Sequence, residues 1–178
     1  TSPTISQVAA MGRKLKRDHD IKALFIDYIG KIRAPKSMEN KSDHEKMGYI
    51  SNELVTLKND LGIPVIVLSQ LNRGPEADNR RPKLSDLKNS GDLEQDGDVI
   101  LLLHNAQPPE DSDDGDGKKK RQPKKDTYER ERGPTPVDII AAKVKDGQTG
   151  DIPMVFIKDT QRFVPRMSES NLLAGHYE

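Results

Sequence analysis

Several short apolar runs end on polar side chains whose chemistry suits phosphate or metal. Asp27 closes "ALFI", Gln70 closes "VIVLS", His104 closes "VILLL", and Lys143 and Lys145 follow "DIIAA". A carboxylate just past a hydrophobic strand can hold Mg²⁺, usually through a bound water. An amide on the neighbouring strand can orient a water or sense a terminal phosphate. The turn "KNSG", residues 88–91, sets a base, an amide, a hydroxyl and a glycine side by side. Its backbone N–H groups, with Lys88 beside them, suit a phosphate oxygen. Each of these has an ordinary reading too. Asp27 and Gln70 also serve as solvated strand caps, and "KNSG" as a helix-breaking turn, so pattern alone leaves both open. His104 has no second His or carboxylate at ligand spacing, and the four histidines are scattered, so no zinc site is expected. Asp96 and Asp98 are alternative catalytic candidates, although such pairs more often orient loop backbone.

The rest of the chain must place these residues. Its 178 residues suffice for one domain with a real core. Hydrophobic and charged residues each make up 33%, so the core is modest and the surface heavily charged. The 29 basic and 29 acidic residues cancel, so overall charge gives no sign of a nucleic-acid partner, which local placement would have to supply. The absence of cysteine excludes disulfides, thiolate metal sites and a thiol nucleophile. No apolar stretch approaches the roughly 18 residues needed to span a bilayer. "TSPTISQVAA" lacks the basic-then-apolar order of a signal peptide, so a cytoplasmic protein is expected. A start without Met, directly on a helix pattern, suggests a fragment.

Thr4 and Gln7 fit a capping box, and Ile5, Val8, Gly12 and Leu15 fall on one helical face. "KALFIDYI" reads as a strand buried on both faces, as in a parallel sheet. Ser42 and Glu45 form a second capping box, after which Met47, Ile50, Leu54, Leu57 and Leu61 repeat at helical spacing. Gly62 stops that helix and Pro64 precedes "VIVLSQ". Residues 72–83 read as a polar loop, and 84–98 as short helical turns broken by Gly91. "VILLLH" is a third buried strand. Residues 106–136, acidic then basic with five prolines, read as a disordered insertion. "VDIIAAKVK" and "PMVFIKD" form a hairpin across "DGQTG". Residues 1–165 thus make one domain and 166–178 a flexible tail. The order of elements is α/β with a mostly parallel sheet.

"FIDYI", "GIPVIVLSQLNR", "RPKLSDLKNSGDLEQDGDVILLLH", "AAKVKDGQTG" and "DTQRF", in that order, closely resemble the C-terminal, RecA-like motor domain of DnaB-type replicative DNA helicases. The resemblance covers roughly residues 4 to 163 outside the insertion. It implies a RecA-like P-loop NTPase core with a C-terminal β-hairpin, working as an ATP-dependent homo-hexamer on single-stranded DNA. It also implies primase and helicase-loader partners. Asp27 would be the Walker B aspartate, coordinating Mg²⁺ through water. Gln70 would couple γ-phosphate state to the DNA loops. Lys88, Asn89 and Gly91 would track the single-strand backbone. Lys143 and Lys145 would reach a neighbouring subunit's γ-phosphate, and Arg162 and Phe163 would lie near the nucleotide base.

Three features depart from the family pattern. Lys143-Val144-Lys145 stands where Lys-x-Arg is usual, and lysine lacks the bidentate fork. "DYIGKI" replaces a form with Gln and Leu, and Asn89 stands where an acid is common. No G-x-x-x-x-G-K-[ST] occurs in these 178 residues, so this chain alone is expected to bind ATP poorly. The competing readings are a RecA-like binding module without nucleotide chemistry and a related recombinase or signalling ATPase. "SQLNR" and "SDLKNSG" argue against the latter.

Overall fold

The structure is a computed structural model and describes residues 2–78, 80–87, 91–105 and 134–166. Lys88 and Asn89, the insertion up to residue 133 and the tail from 167 onward lie outside the described residues. The chain divides into two compact units, residues 1–100 and 101–178.

In the first unit both long helices begin where their caps require. Helix α1 (Ile5–His19) starts after Thr4, whose N–H donates to Gln7 Oε1 at 2.8 Å while the Gln7 N–H donates back to Thr4 Oγ1 at 3.4 Å. Helix α2 (Asp43–Leu61) starts after Ser42 with the same reciprocal pair to Glu45 and ends at Gly62, whose φ of 61° is a left-handed cap that glycine adopts without steric cost. The start of α1 is also sewn to the segment after β1. The Ile5 N–H donates to the Arg33 carbonyl at 3.0 Å and the Arg33 N–H to the Pro3 carbonyl at 2.9 Å.

Strands β1 (Leu24–Ile26) and β2 (Val65–Val67) pair in parallel, with Leu24 opposite Val65 and Ile26 opposite Val67. Both are shorter than the runs that suggested them, and β1 gives way to a 3₁₀ turn at Ile29–Lys31. Ile5, Ala9, Ile50, Leu54, Leu57 and Leu61 form the core of this unit with Leu24, Ile26, Val65 and Val67 packed on it. The opposite face of the pair differs from expectation. Phe25, Ile66 and Leu68 are exposed, Phe25 by 71%. Alternation sends every second side chain away from the helices, and no described element of this unit covers that side, so the strands are buried on one face only.

Beyond β2 the "polar loop" contains a single helical turn, α3 (Gly74–Ala77), and a 3₁₀ turn follows at Leu84–Asp86. Gly91 opens helix α4 (Gly91–Asp96) rather than breaking a helix. Ser51 Oγ donates to Asp96 at 2.6 Å and Lys58 Nζ to Asp98 at 2.7 Å. Both carboxylates therefore fasten this segment to α2, which accounts for them without catalysis.

A second sheet runs in the order β3 (Val99–Asn105), β4 (Thr135–Val144), β5 (Gly150–Ile157), β6 (Arg162–Pro165). The β4–β5 hairpin turns across residues 145–149 as its Asp-Gly signal predicts. A further antiparallel strand, β6, pairs with β5, so antiparallel pairing extends beyond a lone hairpin. Arg166 continues this edge, its N–H donating to the Pro153 carbonyl and its guanidinium meeting Asp138 at 3.2 Å.

Candidate functional site

The site is built on the carboxyl ends of β1 and β2. Two hydrogen bonds carry the ladder past the strands: Leu68 N–H to the Ile26 carbonyl and Ile29 N–H to the Leu68 carbonyl, each at 3.0 Å. Asp27 is thereby held opposite Leu68, and Gln70 follows two residues later at the same edge. Asp27 is exposed, and no described residue bonds its carboxylate. Gln70 is one of the residues lining a cavity of about 660 Å³, along with Tyr28, Arg33, Lys36, Lys46 and Ser69. Glu39 and Asp43 also line it, so it carries side chains of both charges. Asp27 is not part of that lining. Alternation from Leu24 and Ile26, which pack on the core, puts it on the Phe25 side. Asp27 and Gln70 thus share an edge of the sheet, not a cavity.

Among the described residues no cluster of three His, Asp or Glu side chains could cage a metal. A solitary, exposed, unpaired carboxylate such as Asp27 instead fits a water-mediated contact to a Mg²⁺ whose other ligands are phosphate oxygens and water.

The remaining sequence-predicted residues belong to other elements. Gly91 is the exposed first residue of α4, where an added Cβ would approach nothing nearer than His44 Nε2 at 3.7 Å. Lys88 and Asn89 fall outside the described residues. Lys143 is half-buried in β4 and Lys145 exposed just past its end, in the second unit. Arg162 and Phe163 open β6. Phe163 stands opposite Phe156, their ring centroids 4.8 Å apart, and keeps 45% of its surface exposed.

Sequence reasoning missed the best-formed polar contact in the first unit. Asp86, only 7% exposed, receives both arms of the Arg80 guanidinium at 2.8 Å and the Lys83 N–H at 2.7 Å. The Arg80 fork, then the Lys83 amide, hold the Asp86 carboxyl down to about 2, and Asp86 in turn raises the already high Arg80 value. The one signal available was the Lys83-to-Asp86 spacing, at which a side chain returns to a backbone amide three residues earlier.

A family model described as "DnaB-like helicase C terminal domain" matches residues 1–165. The replicative DNA helicase DnaC of Bacillus subtilis (strain 168) is 31% identical over 163 residues, covering 90% of this chain and 31% of that protein. A solved ATPase domain superposes with a TM-score of 0.72 at 29% identity, over 93% of this chain and 52% of that one. A solved DnaB-like replicative helicase, described together with its interactions with primase, superposes with a TM-score of 0.71 at 30% identity, over 94% and 36%. The chain spans about a third of the length of that curated relative. The α/β, RecA-like class stands on these superpositions.

Proposed function

The chain belongs to the DnaB-like helicase C-terminal domain family, and from that premise we propose that it is part of an ATP-dependent, hexameric replicative helicase moving on single-stranded DNA. The observation that carries this reading is the shared edge: Asp27, whose carboxylate no described residue bonds, and Gln70, which lines a cavity, end two paired parallel strands, where α/β sheets bind ligands. In this reading Asp27 orients a water bound to Mg²⁺, the metal neutralising phosphate charge. Gln70 reads the terminal phosphate. Lys143 and Lys145 act on nucleotide held by an adjacent subunit, where lysines supply charge without the planar fork of arginine. Arg162 and the half-exposed ring of Phe163 flank the base. Lys88, Asn89 and Gly91 contact the DNA backbone, so binding depends on phosphate and is largely independent of sequence. A primase and a helicase loader are the partners to seek, by analogy with the relative described with primase.

The test is Asp27→Ala in the full-length protein. ATP hydrolysis falls by at least about a hundredfold, the range for lost electrostatic stabilisation at a reacting group, while the melting temperature stays put. Turnover unchanged in that variant would defeat the assignment. A wild-type protein that binds DNA but no ATP would favour the non-catalytic module instead.

A further inference from the structure

Asp86 is the only buried charged residue among the described residues. A buried carboxylate is tolerated only when its oxygens are fully engaged, since removing one partner leaves an uncompensated charge. Here the engagement comes from within a surface loop. Arg80 Nη1 and Nη2 take one carboxylate oxygen each, and Arg80 is itself steadied through the Arg81 carbonyl at 3.1 Å and Asp78 at 3.4 Å.

Immediately after Gln70, Leu71 bridges to Leu87 in antiparallel fashion, and the Asn72 N–H donates to the Asp86 carbonyl at 2.7 Å. Asp86 therefore bonds in two directions, its side chain to Arg80 and its main chain to the residues that follow Gln70. Leu87, itself buried, is the last described residue before Lys88.

We infer that the Arg80–Asp86 fork is a positioning element that stiffens residues 80–87, whose main chain is bonded to the residues just after Gln70, so that the segment moves with the end of β2. A displacement at Gln70 then reaches Leu87, the last described residue before "KNSG", instead of being absorbed by the intervening loop. The inference rests on the reading above, in which Gln70 meets nucleotide and Lys88 and Asn89 meet DNA. Arg80 and Asp86 touch neither ligand.

The experiment uses the full-length protein with a fluorescent oligothymidylate, measuring its affinity with a non-hydrolysable ATP analogue and with ADP. Arg80→Lys removes the planar fork, and Asp86→Asn removes the charge at constant shape. Coupling between two sites is typically about 5- to 150-fold in affinity, and in both variants the ratio between nucleotide states should collapse to within about twofold. DNA affinity with ADP and DNA-free ATP hydrolysis should both stay near wild type. A merely structural role would weaken DNA binding equally in both states and leave the ratio intact, and that result overturns the inference. Should both variants fail to fold, hydrogen exchange in the wild type decides. The Asn72 and Leu87 amides should change protection together between the two nucleotide states, and independent changes refute the coupling. A wild-type protein without hydrolysis or DNA binding sinks the parent reading, a distinct outcome from a wild type that couples and variants that couple equally well.

Discussion

The two units solve the problem of burial differently. The first packs two capped helices against one face of a parallel pair and excludes water from Ile5 and Leu57 completely. In the second, a ten-residue strand is half-wet along its whole length, and Leu102 is the only buried side chain among its described residues. Helices offer a wide apolar stripe to a partner layer. A ribbon of antiparallel strands satisfies its backbone internally but buries little unless something lies on it. One consequence is that stability in the first unit is concentrated in a few side chains, whereas in the second it is spread over cross-strand pairs such as Ile139 with Ile152.

The largest expected effect tests that contrast directly. Leu57→Ala should cost about 2–5 kcal/mol, the usual range for emptying a closed core site, read by urea denaturation. Ile139→Ala should cost less than half as much, because its site is already partly wet. Equal losses would erase the distinction between the units.

Acid sharpens it further. Glu45, through the Ser42 amide and then Lys41, and Asp86, through Arg80, are both held at about 2, below their ordinary 4.5 and 3.8. Asp20 is likewise held at about 2 by Lys16 and Lys22 at the end of α1. A carboxyl lowered by folding contributes stability that is complete above its unfolded value and lost as pH falls toward its folded value. The first unit should therefore loosen between about pH 5 and pH 2. Amide exchange at the start of α2 should rise across that window, and Glu45→Gln should flatten the response.

The smallest effect has the opposite sign. Gly12 sits in the middle of α1, where a Cβ would meet Leu24, Leu57 and Leu61 side chains at 3.4–3.6 Å, ordinary contact. Gly12→Ala should therefore stabilise the unit by up to about 1 kcal/mol, the helix-propensity difference, seen as a higher melting temperature. A drop would mean that α1 and α2 approach more closely than these contacts allow.

What was legible in the sequence follows from the range of the forces involved. Helix starts and stops are local: Thr4 with Gln7, Ser42 with Glu45 and the glycine at 62 act within a turn, and all appear where their spacing places them. The hairpin turn is equally local. Burial is not. "LFI" and "VIV" look alike whether covered on one face or two, since what lies opposite Phe25 is decided by chain distant in sequence. Strand β6 escaped notice because four residues, one of them an arginine, carry no readable alternation. The Arg80–Asp86 fork escaped because two residues six apart in a loop have no periodic partner. Asp27 and Gln70 stood out because a polar residue ending an apolar run is a local signal. Their common edge follows from the parallel pairing of β1 and β2, which no local pattern in either run specifies.

Phe25, Ile66 and Leu68 have a practical consequence. Three hydrocarbon side chains in a row on an open sheet are adhesive in water. In a purified sample of these 178 residues, such a strip favours self-association. The particle size in solution should depend on concentration and on mild detergent long before the helices begin to melt.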